Sequence, residues 1–376
     1  MTLQGFVTCA RGTEEAVEKE LQLLKATSIE KNKGFLSCKA TSFDHLAKIA
    51  YQSQTASRVG VFLGKTTFKE ATSAEALAKQ LPAKELVPWF KNQKSKVVCH
   101  RVGKHNFDSK EIEEAFGGCL VDAEAIINLS KPDMILYIHL FEDEAFWGVD
   151  ICGFDLGKRQ YKVYNHPSAL RGNLLSSVLG LADVEKNHTI IDPYCKEGSL
   201  LIEAALFASG KSPHFFEKEL FLFSRSELLK EKVIKSPWEK EQSKTTSTIT
   251  GFDESLKNIK ATKANAKIAG VKDCIEVSKL QVDWLETKFE KGSVDRIVTL
   301  PPQYTKYADT KKVTKALNEF FYQAEFILKK KGKLACIVYN VKDIEELAEK
   351  YLLVTENIFE IYAGVQKLFV LVLTKK

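Results

Sequence analysis

The residues of this sequence best suited to chemistry are three aspartates and a proline pair. Ile190-Ile191-Asp192 is an apolar run ending in an acid, and it leads through Pro193-Tyr194-Cys195-Lys196-Glu197-Gly198-Ser199 into the apolar stretch Leu200 to Leu206. A strand ending in Asp, a tight turn and a helix beginning after Gly-Ser is how a doubly wound sheet presents backbone N–H groups to a ligand at the carboxyl edge of its strands. Asp253 closes a second strand-like run, Thr248-Ile249-Thr250-Gly251-Phe252. A carboxylate there can accept from both hydroxyls of a ribose. Asp283, beside Trp284, follows a third run. An isolated Asp in such a place is as readily a helix N-cap, but here both acids fall in register with the first turn. Pro301-Pro302-Gln303-Tyr304 ends a fourth run, Val294 to Leu300.

The elements that must position these residues alternate regularly. From 168 onward the periodicity predicts helices over 168–182, 199–209, 255–269, 311–329 and 342–350. Strands are expected over 188–191, 248–252, 274–277, 294–299 and 333–339, with two more at the C-terminus. That alternation is the sequence form of a parallel sheet wrapped by helices. A segment at 210–247, with Phe215, Phe216, Phe221, Phe223, Pro237 and Trp238, interrupts it; so many aromatics predict an ordered insertion on this domain, able to form a lid. The first half reads as smaller α+β modules. Strands are expected at 6–9, 34–38, 59–63, 96–100, 134–141 and 145–151, with helices carrying Val17, Leu21 and Leu24, then Leu46 and Tyr51, and further helices near 73–80 and 109–128. Gly153, Gly157 and Pro167 punctuate a linker.

Taken in order, these motifs resemble those of the THUMP-domain-containing S-adenosylmethionine-dependent RNA guanosine-N2 methyltransferases. The turn is similar to that family's Asp-Pro-x-Cys-Gly-Ser-Gly-Thr, keeping Asp192, Pro193, Cys195 and Gly198, and Ile202-Glu203-Ala204-Ala205 matches in full. The family has Gly where this chain has Lys196. Asp253 resembles the ribose-binding acid and Asp283 the residue that contacts the adenine amino group. Leu300-Pro301-Pro302-Gln303 resembles an Asn/Asp-Pro-Pro-aromatic motif whose first residue accepts hydrogen bonds from the amine being methylated and whose aromatic stacks on the base. Leu300 cannot accept; Gln303 holds the aromatic position, with Tyr304 one residue on. Phe6 to Glu14 resembles the opening of a ferredoxin-like domain. Arg101 to Ile112, Asn128 to Asp133 and Gly148 to Gly153 resemble THUMP segments, and Lys158-Arg159-Gln160-Tyr161 the exit into the catalytic domain.

The resemblance implies an α/β fold, with a ferredoxin-like domain over 1–57, a THUMP RNA-binding domain over 58–153, a linker over 154–167 and a Rossmann-fold methyltransferase domain over 168–376. It implies S-adenosyl-L-methionine as cofactor, held by Asp192, Cys195, Gly198, Ser199, Asp253 and Asp283. Pro301, Pro302, Gln303 and Tyr304 would form the catalytic turn, and tRNA would be the partner, gripped by Arg101, Lys104, Lys158 and Arg159. Lys196 and Leu300 keep a second reading beside it, a catalytically degenerate RNA-binding protein or partner subunit of the same fold. Pro-Pro motifs also serve the amino groups of adenine and glutamine, so a DNA or protein methyltransferase is a third.

Composition agrees and excludes other classes. The 376 residues favour two or three domains. A net charge of +6, from 55 basic and 49 acidic residues, permits a polyanionic partner. No apolar run approaches the ~18 residues needed to span a bilayer, and Glu14, Glu15 and Glu18 stand where a signal peptide would be apolar, so a cytoplasmic protein is expected. The eight cysteines include no Cys-x-x-Cys pair, and strand alternation turns Cys99 and His100 to opposite faces, so no metal site is expected. No Gly-x-Ser-x-Gly elbow or phosphate-binding Gly-Lys-Ser/Thr loop occurs.

Overall fold

The structure, a computed structural model, describes residues 2–69, 72–233, 238 and 246–376. They divide into two compact units: Met1–Thr8, Leu21–Leu156 and His214–Trp238 form one, and Cys9–Glu20, Gly157–Pro213 and Glu239–Lys376 the other.

In the first unit, eight strands among the described residues form one sheet. They are β1 (Leu3–Thr8), β2 (Thr27–Asn32), β3 (Phe35–Ala40), β4 (Arg58–Thr67), β5 (Lys94–Val102), β6 (Ile126–Ile127), β7 (Met134–Phe141) and β8 (Glu144–Asp150), in the order β2-β3-β1-β4-β8-β7-β5-β6. Phe6 stacks on Phe35 at 5.6 Å and on Tyr137 at 5.7 Å, which ties β1, β3 and β7 into one aromatic core. Gly148 makes room for it: a Cβ there would meet Phe6 at 2.8 Å and the Val61 carbonyl at 2.3 Å. The helix Ser109–Asp122 starts at a capping box of Asp108 and Glu111 and stops short of the expected 128. Glu124, at φ +61, breaks it, and Ile126–Ile127 pairs with β5 instead.

Of the insertion expected at 210–247, His214–Trp238 belongs to the first unit, not to the methyltransferase half as expected. The reason is its aromatic side chains. Phe221 is wholly buried between Phe154, at 4.9 Å, and Phe223, at 4.6 Å, while Trp238 lies 5.7 Å from Tyr51. Backbone N–H groups of Leu222 and Phe223 donate to Cys152 and Ile151. Pro237 lies outside the described residues.

The second unit holds β9 (Thr189–Asp192), β10 (Thr248–Asp253), β11 (Glu276–Lys279), β12 (Val294–Thr299), β13 (Leu328–Val338), β14 (Leu353–Ala363) and β15 (Gln366–Lys375), ordered β11-β10-β9-β12-β13-β15-β14. The first five run parallel, and β15 is antiparallel to both its neighbours. Alternation along β9 sends Ile190 to one core and Ile191 to the other. On one face pack the helices Gly172–Leu181, Ser199–Ser209 and Leu256–Ala269; on the other, Thr310–Ile327 and Lys342–Glu349. Cys9–Glu20 joins this unit: Ala16 enters its core, the Arg11 carbonyl accepts from Tyr362 N at 3.0 Å, and the Arg11 guanidinium lies 3.3 Å over the Tyr362 ring.

Candidate cofactor and methyl-transfer site

Because β9, β10, β11 and β12 are parallel and adjacent, their C-terminal ends bring together residues far apart in sequence. Asp192 ends β9, Asp253 ends β10, Asp283 follows β11 in the turn Val282–Thr287, and Leu300 follows β12.

Asp192 is 3% exposed. Its Oδ1 accepts from Tyr194 N at 3.1 Å and Thr299 Oγ1 at 2.6 Å. Burial pushes its carboxyl up to about 6, against those hydrogen bonds and the nearby Lys196 charge, with Asp253 adding repulsion. Asp253, 8% exposed, accepts at Oδ1 from Ser255 N and Asn258 Nδ2, both 2.9 Å, and at Oδ2 from Lys196 N at 3.1 Å. Its Oδ2 thus retains acceptor capacity for a ligand hydroxyl. Asp283 presents an exposed carboxylate; burial raises the pKa of Tyr194, with the Asp283 charge adding to it, and the buried Tyr194 hydroxyl has no partner among the described residues. Two carboxylates and an orphaned hydroxyl form a donor and acceptor set that fits the ribose and purine of an adenosine.

The turn between β9 and its helix is shaped by packing as well as by ligand geometry. Gly198 adopts φ +83, and a Cβ there would meet Thr262 Cγ2 at 2.3 Å. Its N–H donates to the Cys195 carbonyl at 2.7 Å. Ser199 is buried, with Oγ donating to Glu197 Oε1 at 2.8 Å. Cys195 departs from the expected cofactor contact: its side chain packs in the core, its N–H donates to the Phe252 carbonyl at 2.9 Å, and burial pushes its thiol up. Lys196 takes φ +52, a conformation that favours glycine, and its Nζ donates to the Leu300 carbonyl at 3.1 Å.

At the Pro-Pro turn, Pro301 is buried and Pro302 half-buried. The expectation that Gln303 faces a substrate is corrected. Its Nε2 donates to the carbonyls of Pro301 at 2.9 Å and Ile337 at 3.1 Å, and its Oε1 accepts from Tyr339 N at 3.1 Å, so the amide braces the turn against the end of β13. The Tyr304 hydroxyl lies 3.0 Å from Thr314 Oγ1, with its ring against the core. Tyr307, which the sequence reading passed over, is 92% exposed three residues further on.

Of the four residues expected to hold RNA, Lys104 and Lys158 are exposed. Arg101 Nη1 folds back to the Gly103 carbonyl at 3.4 Å and to His105 Nδ1 at 3.2 Å. Arg159 is corrected. Its guanidinium donates to both carboxylate oxygens of Glu203, at 2.8 and 3.1 Å, with both side chains fully buried and Tyr161 OH adding a bond of 2.7 Å. A planar fork matched to a carboxylate in the core is a structural clamp, out of reach of a phosphate. Thr299, Asn258 and Thr262 were also missed: Thr299 is one polar residue in an apolar strand, and Asn258 and Thr262 lie in a lysine-rich helix, so their partners show only once the helix and the strand ends are brought together.

A sheet of this order with acids at the ends of adjacent parallel strands and a helix N-terminal turn between them defines a doubly wound protein that binds a nucleotide-like cofactor. Residues 159–366 match the RMKL-like methyltransferase domain, 69–150 the THUMP domain and 4–60 the RlmL ferredoxin-like domain. The chain belongs to the RMKL-like methyltransferase family, carrying THUMP and ferredoxin-like domains before the catalytic fold. It is 27% identical over 357 residues to the tRNA (guanine(6)-N2)-methyltransferase of Methanocaldococcus jannaschii, spanning 92% of this chain and 93% of that one. Among solved structures, a Clostridium difficile 630 protein described as a possible methylase superposes with a TM-score of 0.80 at 20% identity, covering 100% of this chain and 99% of its own. Another, complexed with SAH, has a TM-score of 0.76 at 18% identity, covering 100% and 98%. No described helix is long and apolar enough to cross a membrane, and among the described residues no cluster of His, Cys, Asp and Glu could hold a metal ion.

Proposed function

We propose that this chain methylates the exocyclic N2 of a guanosine in tRNA, using S-adenosylmethionine. The observation that carries the reading is the convergence of Asp192, Asp253, Asp283 and the Leu300-Pro301-Pro302 turn on one carboxyl edge, in a chain aligned over nine-tenths of its length with a tRNA guanine-N2 methyltransferase. When bound, the cofactor supplies an electrophilic methyl group whose bonding pair stays on sulfur. Asp253 would hold the ribose hydroxyls, Asp283 and Tyr194 the purine end, and Asp192 the polar end nearest the transferring group. The Pro-Pro turn, braced by Gln303, would fix the angle at which the amine approaches, and alignment supplies much of the acceleration for such a transfer. The THUMP-containing unit, with Lys104 exposed, would hold the RNA through its phosphates.

Incubation of the purified chain with unmodified tRNA and methyl-labelled S-adenosylmethionine, followed by nucleoside analysis, should yield labelled N2-methylguanosine. Label in N6-methyladenosine, or none at all while the cofactor binds, would refute the proposal.

A further inference from the structure

An amine that gains a methyl group must give up a proton, and a polar group near the transfer centre has to accept its N–H. The Pro-Pro turn is short of such groups. Leu300 has an apolar side chain; Gln303 Oε1 accepts from Tyr339 N; the Pro301 carbonyl accepts from Gln303 Nε2; the Tyr304 hydroxyl is paired with Thr314. The head group that does reach the turn comes from the cofactor loop, 104 residues earlier in the chain: Lys196 Nζ, 3.1 Å from the Leu300 carbonyl. The backbone at Lys196 holds φ +52, a left-handed conformation disfavoured for a residue with a Cβ. Strain of this kind concentrates at functional sites.

We propose that Lys196 Nζ is the catalytic proton acceptor of this site, supplying at the Pro-Pro turn the polar group that Leu300 lacks. The inference rests on the methyltransferase reading and deepens it. The neutral amine of Lys196 keeps one N–H on the Leu300 carbonyl and offers its lone pair to the substrate. As guanosine N2 forms its new bond to carbon, one N2–H bond breaks, its electron pair remains on nitrogen, and the proton passes to Nζ, which becomes ammonium and returns the proton to solvent. Burial lowers the pKa of Lys196, outweighing the charges of Asp192, Glu197 and Asp253 that favour its ammonium form, and brings the neutral form nearer to physiological pH.

Two measurements test this. The first is pH-dependent acylation of the full chain, read by mass spectrometry: Lys196 should be half-modified at lower pH than exposed lysines such as Lys104, and half-modification at the same pH would overturn the proposal. The second is single-turnover methyl transfer with calorimetric binding of S-adenosylmethionine. Lys196→Gly, which suits the backbone and so should fold, and Lys196→Met, which keeps the stem, should both slow transfer about 100-fold or more, within the range for general bases. Cofactor affinity should stay within about threefold, and Leu300→Asn in the Lys196→Gly background should recover at least tenfold. Unchanged or faster transfer by Lys196→Gly would show a side chain that merely braces the Leu300 carbonyl and would remove this inference alone. A wild type that transfers no methyl would remove the functional proposal and this inference together.

Discussion

Asp192, the acid proposed to face the cofactor, also bears on the stability of the fold. Its carboxyl, ordinarily at 3.8, is pushed up to about 6 by burial. The folded chain therefore binds more protons at Asp192 than the unfolded chain does between these values, and stability falls as pH rises from about 4 to 6, by about 3 kcal/mol in total. Asp192→Asn should flatten this part of the curve, so thermal melts of both proteins from pH 4 to 7 should converge at the acid end and diverge above pH 6. Parallel curves would mean that Asp192 is not desolvated. Asp253 acts differently. Asp253→Ala should weaken S-adenosylmethionine binding by about 1.5–3 kcal/mol, the typical worth of hydrogen bonds to a charged group. Since Asp253 also anchors Lys196 N, Ser255 N and Asn258, the melting temperature must be recorded beside the calorimetry. Wild-type affinity in the variant would place the ribose elsewhere.

At the scale of elements, the Arg159–Glu203 pair fastens the segment after Gly157 to the helix Ser199–Ser209. Removing one partner of a buried pair leaves an uncompensated charge, so Arg159→Ala should lower stability by about 3–5 kcal/mol in denaturant melts. An unchanged midpoint with weaker tRNA binding would restore Arg159 to the RNA grip. This residue also shows what a sequence conceals. The run Lys158-Arg159-Gln160-Tyr161 looks like a solvated basic patch, and only the fold reveals that its second and fourth residues turn inward to one carboxylate. The β9-turn-helix unit was legible because an apolar run, an acid and a glycine act locally. The edge strand β2 was not: Thr27–Asn32 buries neither face and has no apolar alternation, and its pairing with β3 supplies the order. Likewise Gln303 and Lys196 owe their roles to partners 34 and 104 positions away, Ile337 and Leu300.

Across the whole molecule, the two compact units do not divide the chain once. Cys9–Glu20 belongs with the methyltransferase sheet and His214–Trp238 with the THUMP-containing sheet. Aromatic content marked the second exchange as ordered but not which sheet it joins, since that depends on Tyr51 and Phe154 being there to receive it. RNA affinity is therefore best tested by point changes in the full chain rather than by cutting it. The excess charge is only +6, so phosphate contact depends on where the lysines stand and little on the total. Each lysine neutralising one phosphate contributes about one to the slope of log affinity against log salt. Lys104→Ala and Lys158→Ala, both exposed, should each weaken tRNA binding and lower that slope by about one, with the melting temperature unchanged. Arg101→Ala should change the slope less, because its guanidinium already binds Gly103 and His105. Filter-binding titrations at several salt concentrations measure all three, and a slope unaltered by either lysine would move the phosphate track to another face of the protein.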